Sequence, residues 1–167
     1  MSLSVPNRLP WLLLIAVLSI ATDRFTKIWV STHIALGGAI PVFDHILRIS
    51  HWTNDGAAFS LFANSASPQT VRWCLVAFAS LAAVAVFIAM IRLGDRINLT
   101  TVALALILGG ALGNVYDRIV SGSVVDFIEV YIVHYHYPDF NVADSCVVIG
   151  ACLLFLDSLR PSRKLAA

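Results

Sequence analysis

Apolar residues run in four long blocks along this chain, and polar residues collect between them. The blocks cover residues 9–29, 71–91, 99–120 and 142–159. The second reads "VRWCLVAFASLAAVAVFIAMI" and carries no charge between Arg72 and Arg92. Each block can form a helix that crosses a hydrocarbon core about 30 Å thick. A backbone surrounded by lipid must satisfy its own hydrogen bonds, so blocks of this kind are helices. End signals agree with that reading. Ser67-Pro68 pairs a capping residue with a first-turn proline, Asn98 caps the third block, and Asn141 caps the fourth with Asp144 three residues on. Between the first two blocks, "HILRISHW" alternates in the manner of a half-buried strand, and Gly37-Gly38 and Asn54-Asp55-Gly56 mark turns. The predicted fold is therefore an all-α membrane protein. It has four transmembrane helices in a single polytopic domain over residues 1–167, with a small β-rich platform over about 30–70 outside the membrane. Segment 120–140 lies on the same outer side.

Composition supports lipid as the solvent. Of 167 residues, 59% are hydrophobic and 13% charged, against about 45–50% and about 25% in soluble domains. A soluble core of this size could not hide so much apolar surface. The net charge of +1 points to no nucleic-acid partner. Cys74, Cys146 and Cys152 all fall in apolar runs, and an odd count cannot form a closed disulfide set. They read as small buried hydrophobes. Basic residues set the direction. With four spans, Arg8, Arg92, Arg96, Arg160, Arg163 and Lys164 share one side, which is the cytoplasmic one. Both termini then lie in the cytoplasm.

Polar residues near the outer interface carry the candidate chemistry. Asp126 follows the third block after a Ser-Gly-Ser turn, and Asp144 opens the fourth. Two carboxylates brought together at a partly dry site cannot both ionise freely and can share a proton. One could then take a proton from water while the other gives one to a carbonyl oxygen. The spacing alone equally allows Asp144 to be a helix-end residue and Asp126 a solvated loop residue. Asn114 and Asp117 share a helix face beside Arg118. Asp23 and Lys27 are four apart in the order that favours a helical ion pair, and read as an interfacial pair that holds the first span. His134 and His136 lack a third metal ligand at usual spacing, so no metal and no cofactor is expected. Ser145 and Cys146 lack a histidine base. Gly109, Gly110 and Gly113 read as close helix packing.

Five stretches resemble, in order and spacing, the motifs of lipoprotein signal peptidase (signal peptidase II). They are "DRFTK" at 23–27, "NDGAAF" at 54–59, "GGALGNVYDR" at 109–118, "GSVVDF" at 122–127 and "FNVADS" at 140–145. The resemblance spans nearly the whole chain. Arg24 departs from it, standing where the family usually has glutamine. The resemblance implies an aspartic intramembrane protease of the bacterial inner membrane that removes signal peptides before a diacylglyceryl-modified cysteine. Asp126 and Asp144 would be its catalytic dyad. Asn54, Asn114, Arg118 and Asn141 would line the site, and Asp23, Lys27, Gly56 and Asp117 would support it. Partners would be lipid-modified prolipoprotein signal peptides and membrane lipids, with the protein a monomer and its site at the outer face. Glu129 and Asp139 match none of these motifs. The alternative is a non-catalytic transporter subunit or scaffold, although acids clustered at one interface and the lack of repeated halves fit a transporter poorly.

Overall fold

The computed structural model describes residues 7–56, 67–133 and 135–160. His134, Arg163, Lys164 and the last three residues of "NDGAAF" lie outside that description. The elements in order are α1 (Leu9–His33), β1 (Ala39–Phe43), β2 (Leu47–Asn54), α2 (Pro68–Leu93), α3 (Leu99–Val120), β3 (Val124–Ile132), β4 (Tyr135–Phe140) and α4 (Val142–Ser158). Among the described residues, α1, α2 and α3 are long and apolar enough to cross a membrane. The fourth apolar block forms α4, a helix of 17 residues.

Capping chemistry sets two of the helix starts. Asn98 accepts from the Thr101 backbone N–H while the Thr101 hydroxyl accepts from the Asn98 N–H. Asn141 and Asp144 form the same reciprocal pair at the start of α4. At α2 the proline sits in the first turn as expected, but the Ser67 hydroxyl meets the Thr70 hydroxyl and caps no backbone group.

Helix α3 is the hub, packed against α1, α2 and α4. Glycines make this possible. A Cβ on Gly109 would stand 2.7 Å from the Ala16 carbonyl oxygen of α1, and one on Gly110 would run into the Ala143 carbonyl of α4. The sequence reading of these glycines as close packing therefore holds, and Gly150 does the same from α4 against Ala103. Leu12, Ala16, Ala83, Met90, Leu104, Ala105 and Leu108 fill the core between helices. Large apolar side chains on the outer helix surfaces are uncovered: Phe25 is 71% exposed and Phe78 74%. In water such surfaces would cost about 25 cal/mol per Å², so the helices suit a lipid surround. Cys74 and Cys152 share that outer surface and are exposed, with Cys146 half-buried, so the expectation of buried cysteines is corrected.

The platform also departs from the expectation. Its four strands form one antiparallel sheet in the order β1-β2-β3-β4. Half of it comes from segment 124–140, not from 30–70, and residues 30–33 belong to α1. Alternation in "VVDFIEVYI" was hidden because both sheet faces carry apolar residues. Val30, Ile34 and Phe127, with Ile49, Val125, Ile128 and Val142 against them, form a second core. That core seats the sheet on the ends of α1 and α4.

Candidate active site

Asp126 lies on β3, only 4% exposed, so the solvated-loop alternative is excluded. Asp144 opens α4, and its side chain serves the capping pair described above. Three asparagines surround the two carboxylates, and in each the amide oxygen is already committed. The Asn54 oxygen accepts from the Gly56 N–H at 2.9 Å, the Asn141 oxygen from the Asp144 N–H at 2.9 Å, and the Asn114 oxygen from Lys27 Nζ at 3.1 Å. Those partners fix which way each amide faces. The NH2 groups are left pointing at acid. Asn54 donates to Asp126 Oδ2 at 3.0 Å, Asn141 to Asp126 Oδ1 at 2.8 Å, and Asn114 to Asp144 Oδ1 at 2.8 Å. Asn141 thus touches both acids, since its own backbone N–H reaches Asp144 Oδ2 at 3.2 Å.

Lys27 underlies this arrangement. It is 1% exposed, and its ammonium has three hydrogens to give. They go to Asp23 Oδ2 at 2.7 Å, Asp117 Oδ2 at 2.6 Å and Asn114. The other oxygen of Asp23 accepts the Ala143 N–H at 2.9 Å, tying α1 to the first turn of α4. The expected structural ion pair is present, and it does more: it sets the Asn114 amide that holds Asp144. Arg24, the departure from the motif, binds the other oxygen of Asp117 and lies over the Tyr116 ring. Arg118 donates to the Gly56 carbonyl at 2.8 Å and so fixes the chain just after β2. The ten residues singled out from the sequence therefore form one connected polar network.

The network opens into a cavity of about 650 Å³. Asn54, Asn114, Arg118, Asp126, Asp139, Asp144 and Ser145 are its polar lining; Val130, Ile132, Tyr137, Val147 and Val148 are among the apolar residues. These apolar residues were missed in the sequence. Period two would have found part of them, since Val124, Asp126, Val130 and Ile132 all line the cavity from one strand. Burial pushes the Asp126 carboxyl up to about 6, opposed by the Asn54 and Asn141 hydrogen bonds and aided by the charge of Asp144. A carboxyl poised there can be proton donor or acceptor near neutral pH.

Comparison with known proteins gives this geometry a family. The model of the family described as signal peptidase (SPase) II matches residues 15–160. The chain belongs to the signal peptidase II family. It is therefore a protease, with several apolar helices that make it a multi-pass membrane protein. Among relatives, the lipoprotein signal peptidase of Brevibacillus brevis is 37% identical over 92% of this chain and 98% of its own length. That of Acinetobacter baumannii is 41% identical over 92% of this chain and 85% of the relative. A solved bacterial membrane enzyme, determined by the in meso method at 2.3 Å, superposes with a TM-score of 0.74 at 29% identity, covering 93% of this chain and 94% of that one.

Proposed function

We propose that the protein removes signal peptides from prolipoproteins, with Asp126 and Asp144 as its catalytic dyad. The observation that carries the dyad is the shared cradle: three amide donors and one backbone N–H converge on two acids that face one cavity. Asp126, whose carboxyl burial pushes up to about 6, serves as the acid, and Asp144 as the base. Asp144 takes a proton from water as the water oxygen bonds to the scissile carbonyl carbon. Asp126 gives its proton to the carbonyl oxygen, and a gem-diol forms. Reverse transfer from that diol to Asp126, with the proton on Asp144 passing to the amine, breaks the C–N bond. Asn54, Asn114 and Asn141 hold the pair, Arg118 lines the cavity with the Gly56 carbonyl supporting it, and Asp23, Lys27 and Asp117 support the network from beneath.

The substrate reading follows from the relatives' names and from the apolar walls of the cavity, which suit the acyl chains on a modified cysteine. Four spans are inferred, since 17 residues of α4 reach the lower limit of about 17 for a crossing helix. Both termini face the cytoplasm of the inner membrane in this reading. Arg8, Arg92, Arg96 and Arg160 support that topology, and the Arg8 N–H bond to Gly94 brings the start of α1 to the α2–α3 turn. In this reading the protein acts as a monomer, with the donors around the two acids supplied by Asn54, Asn114 and Asn141 of the same chain.

Purified protein incubated with a diacylglyceryl-modified precursor and its unlipidated twin tests this. Cleavage of the lipidated form is expected, and Asp126→Asn or Asp144→Asn should abolish it. The double variant should be hardly worse than either single one, since the acids act as a unit. Normal turnover by either single variant would remove the dyad assignment.

A further inference from the structure

Glu129 and Asp139 match no family motif, and the reaction proposed above uses neither. Strands β3 and β4 nevertheless bring them to one point with His136. His136 Nε2 lies 3.1 Å from Asp139 Oδ1 and 3.5 Å from Glu129 Oε1. One ligand atom from each of the three falls within 4.8 Å of the others. Tetrahedral ligands at about 2.0–2.2 Å from a zinc-like ion stand roughly 3.3–3.6 Å apart. The 3.5 Å contact to His136 falls within that spacing, and the 3.1 Å contact lies just below it.

Surrounding groups hold the ligands in place. The Ser50 hydroxyl on β2 donates to Asp139 Oδ2 at 3.0 Å, so Oδ1 is the oxygen turned to His136. The Tyr131 hydroxyl donates to Glu129 Oε1 at 2.8 Å. Outer hydrogen bonds of this kind orient metal ligands. Glu129 is 6% exposed, and among the described residues its Oε2 has no hydrogen-bond partner. The cation beside it is Arg48, with Nε at 3.3 Å, and that side chain is 42% exposed. Arg48 meets the charge at Oε2, so the oxygen that would meet a bound cation is Oε1, which faces His136.

We propose that Glu129, His136 and Asp139 bind one first-row divalent cation of the zinc class, which clips β3 to β4. One imidazole and two carboxylates suit such an ion better than Mg²⁺ or Ca²⁺, which prefer all-oxygen sets. The sequence pointed elsewhere because it paired His136 with His134. The third ligand comes from across the sheet, where spacing along the chain cannot show it.

Full-length protein in detergent micelles, freed of metal with a chelator, would be titrated with Zn²⁺ and separately with Mg²⁺ by calorimetry, and with Co²⁺ by visible absorption. The expected result is one Zn²⁺ per chain, with negligible Mg²⁺ binding. His136→Ala and Asp139→Asn should each weaken Zn²⁺ at least tenfold, and Ser50→Ala by about tenfold. Zinc should raise the melting temperature of the parent protein and leave that of His136→Ala unmoved. Absence of stoichiometric Zn²⁺ binding would overturn the proposal, as would binding that both His136→Ala and Asp139→Asn leave intact. Should those variants fail to fold, the Co²⁺ spectrum of the parent protein decides: a four-coordinate band supports the site, and a hexa-aqua-like spectrum rejects it.

Discussion

Replacing Asp126 by asparagine should make the protein more stable at high pH and less stable at low pH. The reason lies in what burial does to this acid. Its folded carboxyl titrates at about 6, against a starting value of 3.8. In the unfolded chain it ionises near that lower value, so the unfolded state releases the proton first. Stability is therefore lost as pH rises from about 4, and the loss is complete a little above 6. Two units correspond to about 3 kcal/mol, at roughly 1.4 kcal/mol per unit. An asparagine cannot ionise and escapes that cost. It does lose something, because Asn54 and Asn141 both donate to the carboxylate and an amide has only one oxygen to receive them. One unmet donor costs about 1 kcal/mol. The net expectation is a gain of roughly 2 kcal/mol at pH 8 and a loss of up to about 1 kcal/mol at pH 4. Thermal unfolding in micelles at pH 4, 6 and 8 would show the two melting curves exchanging order, while cleavage by the variant is absent throughout. A melting difference that does not change with pH would refute the claim that burial of a charge governs this residue.

Two further substitutions probe the support beneath the acids. Lys27→Met should destabilise the protein by about 3–5 kcal/mol, because it leaves the buried Asp23 and Asp117 carboxylates without their shared cation. Chemical denaturation in micelles checks this, and the loss should shrink when Asp23→Asn is added. Gly110→Ala should cost about 1–3 kcal/mol by forcing α3 away from the Ala143 carbonyl. Cleavage should fall as well, since Asn141 and Asp144 begin the displaced helix, and both readouts should stay normal for alanine at the exposed Ser121 that follows α3.

How far the sequence reached can be read from particular residues. Apolar run length located the helices, because lipid demands both length and internal hydrogen bonding from any segment that enters it. Residues 99–120 form α3 without a shift at either end, and Asn98 and Asn141 cap as their spacing required. Asp126 and Asp144 stood out because polar groups at membrane depth are costly and need partners. Asp23 and Lys27 were legible as a pair four residues apart. That Lys27 also grips Asn114, 87 residues away, was not legible, because nothing local encodes a contact between α1 and α3. The strand character of segment 124–140 was obscured for a related reason: a sheet with apolar residues on both faces loses its period-two signal. His136 and Asp139 are neighbours on β4, but Glu129 joins them only through the pairing of β3 with β4. Sequence fixes what each segment can bury in a given solvent, since that depends on residues a few positions apart. The tertiary structure alone decides which buried polar groups meet, because their partners come from segments that only packing makes neighbours.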